Sequence, residues 1–208
     1  MPVQTDKIRY AGQPVPEADR ALIMLHGRGG SAGDMLSLQP YLDVNGFAIL
    51  VPQAKDHSWY PVSFLNPRHQ NEPWLSSALQ WLQDMIRDLG KQGIGRERIY
   101  ILGFSQGACL ALEFAANQTA RYGGIVAFAG GLVGERIREE DYHGDLRQTP
   151  VLIATSDTDP HIPLERAQIS AEFLKKRNAD VTFLPYIGLV HTISQEEIDR
   201  ANKLIFAT

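Results

Sequence analysis

Ile99-Tyr-Ile-Leu-Gly103-Phe104-Ser105-Gln106-Gly107-Ala-Cys-Leu-Ala-Leu-Glu-Phe-Ala-Ala116 joins a short apolar run, a Gly-x-Ser-x-Gly pentapeptide and a longer apolar run without interruption. The first run, β-branched and aromatic, predicts a strand buried on both faces. From Gln106 to Ala116 the only charge is Glu113, which predicts a central helix that is apolar nearly all round. A serine on the sharp turn between such a strand and such a helix leaves no room for Cβ atoms two residues to either side, and Gly103 and Gly107 meet that demand. The turn also sets Ser105 and the Gln106 amide at a helix N-terminus, where unpaired N–H groups and the helix dipole favour developing negative charge. The plain alternative is a glycine turn without chemistry. Whether the serine has partners elsewhere in the chain decides between the two.

The flanking sequence alternates in the same way. Ala21-Leu-Ile-Met-Leu25 is continuously apolar and stops at His26-Gly27-Arg28-Gly29-Gly30, as a buried strand entering a glycine loop should. Ser31 or Asp34 can cap a short helix toward Tyr41. Phe47 to Val51 predicts a second parallel strand. Residues 53–73 have no period but hold Trp59, Tyr60, Phe64, Pro61, Pro67 and Pro73, the makings of a long loop packed by its own aromatics. Leu75, Ala78, Leu79, Leu82, Met85, Ile86 and Leu89 share one helical face that Gly90 should end. Further strands are predicted at Gly124 to Ala129, Val151 to Thr155 and Val181 to Leu184, and further helices at Leu164 to Arg177 and Gln195 to Phe206. Such alternation implies a mostly parallel central sheet with helices on both faces and a ligand site at the carboxyl edge of its strands.

Composition narrows the function classes. At 208 residues, 44% hydrophobic and 21% charged, the chain is expected to form one domain, residues 1–208. A net charge of −4 and a pI near 5.9 offer no attraction to nucleic acid or to an anionic membrane. The single cysteine, Cys109, rules out an internal disulfide and fits a reducing compartment. Met1-Pro-Val-Gln-Thr-Asp6 lacks the layout of a signal peptide, and no apolar run approaches the roughly 18 residues of a spanning helix. A cytoplasmic protein without integral membrane association is the simplest expectation, as a monomer or homodimer.

An unassisted hydroxyl is a weak nucleophile, so Ser105 needs a base. Of the six histidines, His191 follows the last predicted strand at the carboxyl edge and is last in chain order, as the order Ser, acid, His of α/β-hydrolases requires. His26, beside three glycines, reads as a structural histidine that shapes its loop. His57 and His161 lie in loops that could line a pocket, and His69 and His143 read as exposed. The base in turn needs a carboxylate to hold its tautomer. Thr155-Ser-Asp157-Thr-Asp159-Pro-His-Ile-Pro163 offers two; Asp157, nearer the strand, is placed to bond loop amides, and Asp159, fixed by Pro160, is preferred. Asp141 and Asp145 read as a solvated face. The oxyanion hole should combine the backbone amides of Gln106 and Arg28. The glycine run at 27–30 lacks the spacing of a P-loop or a dinucleotide fold, and no histidine or cysteine pair has metal-ligand spacing. Cys109, without a basic partner in sequence, reads as inert packing.

Taken together, Leu25-His-Gly-Arg-Gly-Gly30, Arg98-Ile-Tyr-Ile-Leu-Gly-Phe-Ser-Gln-Gly107, Asp157-Thr-Asp-Pro-His-Ile-Pro163 and Gly188-Leu-Val-His191 resemble the phospholipase/carboxylesterase family of α/β-hydrolases, which includes the acyl-protein thioesterases. The likeness spans about Ala21 to Phe206. It implies an α/β-hydrolase fold with Ser105 as nucleophile, Asp159 as acid and His191 as base, in agreement with the residue-level reading. Ala108 stands where the pattern often ends in glycine. Ser58-Trp59-Tyr60 stands where the family usually carries a tryptophan-bearing segment near the site. Arg28 replaces an apolar residue usual in thioesterases, which argues against a long lipid chain.

The expected chemistry is hydrolysis of a small-molecule ester or thioester of small to medium acyl length, with no metal or organic cofactor. Residues 131–149, where larger α/β-hydrolases insert a cap, are too short and charged to form one, so the site should be open. Its expected apolar walls are Trp59, Tyr60, Leu132, Val133, Ile162, Leu189 and Val190. A non-catalytic binding or receptor module is the alternative of another class. Among enzymes the runner-up is a dienelactone-type or carbon–carbon bond hydrolase, against which Ser105 counts because the former usually carries cysteine there.

Overall fold

Seven strands form one sheet in a computed structural model that describes residues 7–207. Met1–Asp6, the stretch without a signal-peptide layout, and Thr208 lie outside the described residues. The strands are β1 (Ile8–Gly12), β2 (Arg20–Leu25), β3 (Phe47–Pro52), β4 (Ile99–Phe104), β5 (Gly124–Phe128), β6 (Pro150–Ser156) and β7 (Asp180–Tyr186), in spatial order β1-β3-β2-β4-β5-β6-β7. All pairs are parallel except β1 with β3. The antiparallel edge strand β1 is absent from the sequence reading. Only Ile8 and Ala11 of its five residues are half-buried and the other three are exposed, too weak a pattern to announce a strand, and what recruits it is pairing with β3 in the register Ile8↔Pro52 through Gly12↔Ala48.

The helices are α1 (Ala32–Leu36), α2 (Trp74–Lys91), α3 (Gln106–Ala116), α4 (Leu164–Lys176) and α5 (Gln195–Ala201). Successive strand residues face opposite sides, so Ile23 and Leu25 join one apolar cluster with α2, α3 and α4, while Leu22 and Met24 join a second with α1 and α5. Ser31 caps α1 and Asp34 closes the capping box, so both residues offered as caps contribute. Gly90 does not end α2, which runs to Lys91. The chain turns instead at Gly93, whose φ is +95°.

Glu113, the lone charge of α3, is fully buried. It pairs with Arg68 of the 53–73 loop and accepts hydrogen bonds from the Tyr142 hydroxyl (2.9 Å) and the Val133 amide (3.0 Å). One carboxylate thus ties both long loops to the central helix. Between β5 and β6 the charged insertion holds only a short 3₁₀ turn, Glu139–Asp141, and Arg166 of α4 fastens its start through the carbonyls of Leu132, Gly134 and Glu135. Glu113→Ala leaves Arg68 only the more distant Glu72 carboxylate at 3.9 Å and takes the acceptor from the buried Val133 amide, and is expected to cost about 3 kcal/mol, read as a lower urea midpoint.

Candidate active site

Parallel strands deliver their loops to one edge, and β2, β4, β6 and β7 bring Arg28, Ser105, Asp159 and His191 together there. Ser105 lies between β4 and α3 with φ 53° and ψ −117°, a conformation that costs a non-glycine residue of order 1–3 kcal/mol and is held only by its surroundings. The Ser105 amide donates to the Phe128 carbonyl and its carbonyl accepts from the Cys109 amide, both at 2.9 Å. A Cβ on Gly103 would collide with the backbone of Gly107, and one on Gly107 with the Leu25 carbonyl. These backbone clashes have no flexible side chain to yield. Gly107→Ala is therefore expected to lose more than about 3 kcal/mol, seen as a collapse of the thermal transition.

The Ser105 Oγ is 2.9 Å from His191 Nε2, and His191 Nδ1 is 2.7 Å from Asp159 Oδ2. With Nδ1–H donating to the carboxylate, Nε2 is left as the acceptor facing the serine hydroxyl. Asp159 Oδ1 accepts from the amides of His161 (2.8 Å) and Ile162 (3.0 Å). Burial pushes the Asp159 carboxyl up, yet the hydrogen bonds from His191 and the two amides outweigh it and hold the group below the usual carboxylate range. Asp157 instead accepts from the Gly188 amide at 2.8 Å and shapes the loop that carries His191. Phe104 packs against the His191 ring at 4.9 Å and His161 meets it edge-on at 4.8 Å.

His26 is buried, and burial lowers its pKa. Its Nε2 accepts from the Ala54 amide at 3.0 Å and its Nδ1 donates to the Gly27 carbonyl at 2.7 Å, so it joins the glycine loop to the segment that follows β3. The Gly29 and Gly30 amides are occupied by the His57 and Gly27 carbonyls. The Arg28 amide makes no hydrogen bond among the described residues, and the Gln106 amide, first of α3, has no acceptor within the helix.

A cavity of about 380 Å³ opens beside Ser105, toward the small end of ligand pockets. Tyr60 and Ile162 line it. Trp59, Leu132 and Val133 do not: all three are buried in the core, Trp59 with its indole N–H donating to the His26 carbonyl. Leu189 and Val190 also lie outside the lining, Val190 being 70% exposed. Apolar character alone cannot separate a loop residue facing the core or solvent from one facing the cavity.

The lining residues that sequence reasoning passed over are Ser63, Phe64, Phe104 and Cys109. Phe104 stands within the serine pentapeptide, and from sequence Phe64 reads only as loop packing. Burial pushes the Cys109 thiol up to about 12, so it stays protonated. The Gln106 side chain was missed as well. It accepts from the Trp59 amide (2.9 Å) and donates to the Tyr60 carbonyl (2.8 Å), pinning the aromatic loop to the start of α3.

The fold, with a serine at the strained strand-to-helix turn after its central strand, is that of the α/β-hydrolases. The phospholipase/carboxylesterase family profile matches residues 11–208, and the chain belongs to that family of ester-bond hydrolases. It is 46% identical to a phospholipase/carboxylesterase from Dyadobacter fermentans, with a TM-score of 0.95 over 99% of both chains. It is 27% identical to acyl-protein thioesterase 1 of Kluyveromyces lactis over 95% of this chain and 94% of that protein. With acyl-protein thioesterase 1 of Gibberella zeae it shares 29% identity over 143 residues, 66% of this chain and 60% of that protein. Among the described residues no helix is long and apolar enough to cross a membrane, and no three His, Cys, Asp or Glu residues converge as a metal site.

Proposed function

We propose that this chain is a serine carboxylesterase that hydrolyses esters, or thioesters, of small to medium acyl groups through an acyl-enzyme. The observation that carries the reading is the hydrogen-bonded line Ser105–His191–Asp159, at 2.9 and 2.7 Å. Ser105 Oγ attacks the substrate carbonyl carbon while His191 Nε2 takes its proton. Asp159 holds the imidazole in the tautomer that can accept and stabilises the imidazolium that forms. The Arg28 and Gln106 amides face the developing oxyanion. As the carbonyl re-forms, the bond to the leaving oxygen or sulfur breaks and His191 returns the proton to it. Water, deprotonated by His191, then cleaves the acyl-Ser105 ester and frees the serine. The absence of any folded cap over residues 131–149 keeps the cavity open to small substrates. A single domain working in the cytoplasm as a monomer or homodimer completes the reading.

The test is labelling with a fluorophosphonate, followed by intact mass and peptide mapping. Stoichiometric modification of Ser105, with parallel loss of p-nitrophenyl butyrate hydrolysis, is expected. An unreactive Ser105 in a protein that turns over no ester would leave a binding module on a hydrolase scaffold.

A further inference from the structure

The charged side chain beside the proposed oxyanion hole is not explained by acyl transfer. Arg28 lines the cavity, and its guanidinium is fixed by three hydrogen bonds. Nη1 donates to Ser58 Oγ (3.2 Å) and the Pro61 carbonyl (2.8 Å), and Nη2 donates to the Val62 carbonyl (2.7 Å). Its Cζ stands 5.9 Å from the centroid of the Tyr60 ring. All three acceptors are neutral, and Arg28 forms no ion pair among the described residues. Neither Asp nor Glu is among the residues lining the cavity. In a chain of net charge −4, an exposed arginine without an acidic partner thus stands among the residues that line the cavity beside Ser105.

The unused donors matter as much as the charge. A guanidinium has five N–H groups; the three hydrogen bonds run from Nη1 and Nη2, and Nε makes none among the described residues. Nε–H and the Nη2–H beside it form one edge, a pair that a carboxylate can bridge with both oxygens. The three bonds to the 58–62 loop hold the side chain in place, so little freedom remains to be lost when an anion binds.

We propose that the preferred substrate is an ester carrying a carboxylate, which the free Nε/Nη2 edge of Arg28 binds while the Arg28 amide faces the oxyanion. This rests on the esterase reading above. One residue then acts at both points, the backbone on the reacting carbonyl and the side chain on a group several bonds away. That separation makes substrate length part of the selection, because too short a spacer cannot span it and a long alkyl chain leaves the guanidinium without a partner.

Two matched pairs of esters test this and distinguish the side of the ester on which the carboxylate sits. On the acyl side, mono-p-nitrophenyl adipate is compared with p-nitrophenyl hexanoate; on the alcohol side, 4-carboxyphenyl butyrate is compared with 4-carbamoylphenyl butyrate. In the wild-type protein at neutral pH and low salt, kcat/KM for the anionic member should exceed that of its neutral match by about tenfold or more in one pair. Arg28→Met should bring that ratio to one or below, mainly through KM, and Arg28→Lys should restore only part of it, keeping the charge without the two-pronged edge. Neutral esters hydrolysed with a ratio of one or less in both pairs would overturn the carboxylate assignment and leave the esterase reading standing. No hydrolysis of any of the four would overturn the esterase reading and this inference with it. Should Arg28→Met fail to fold, the wild-type ratios decide alone, together with their expected decline as ionic strength rises.

Discussion

Ser105→Ala is expected to lower kcat for p-nitrophenyl butyrate by about 10⁵- to 10⁶-fold while leaving the thermal transition nearly where it was. The size of the loss follows from removing the one hydroxyl that, among the described residues, bonds His191 Nε2 and could attack a carbonyl. What remains is whatever the oxyanion amides and binding supply without a covalent intermediate. The fold should survive because the serine side chain makes its one hydrogen bond to His191, whereas the turn is held by backbone bonds to Phe128 and Cys109. Alanine carries the same Cβ and meets the same backbone demand at φ 53°. Turnover retained within tenfold of wild type would remove Ser105 from the nucleophile's role.

Asp159→Asn should cost about 10⁴-fold in kcat, against less than about threefold for Asp157→Asn. An asparagine at 159 can still accept from the His161 and Ile162 amides through Oδ1, so the loop stays in place. Its other atom becomes an NH₂ facing His191 Nδ1. The imidazole then has to accept at Nδ1 and carry its proton on Nε2, toward the Ser105 hydroxyl that the proposed mechanism has it deprotonate. At 157 the carboxylate accepts from the Gly188 amide, a bond an asparagine oxygen can make equally well. The paired kcat measurements separate orientation of the base from general loop disturbance. A larger loss at 157 than at 159 would exchange the two assignments.

Strand-and-helix alternation was plain along the chain because strands buried on both faces must be continuously apolar, as Ala21 to Leu25 and Ile99 to Leu102 are. The edge strand β1 was not, since half of it faces solvent and only its pairing with β3 makes it a strand. Ser105 and the glycines at 103 and 107 were readable from the pentapeptide itself, although only the clash at Gly103, with the Gly107 backbone, is local, and a Cβ on Gly107 would strike Leu25 on the adjoining strand. Asp159 and His191 could be chosen by position after strands that emerge at one edge. The cavity wall could not. Trp59, Leu132 and Val133 are as apolar as Tyr60 and Ile162, and which of them faces the cavity depends on how the loops fold over α3.

The amino-acid sequence by itself determined the order of the parallel strands and the main helices, the serine turn and the candidate acid and base, because each is dictated by patterns close in sequence or by the fixed sense of a parallel sheet. The tertiary structure alone decided that Glu113 is the buried tie between two distant loops, that the Gln106 side chain pins the aromatic loop, and that the Arg28 guanidinium is fastened to the 58–62 loop beside the cavity. Those contacts join residues about 20 to 50 positions apart. Their partners are brought into reach only when the sheet closes against α3, and no local rule of spacing anticipates them.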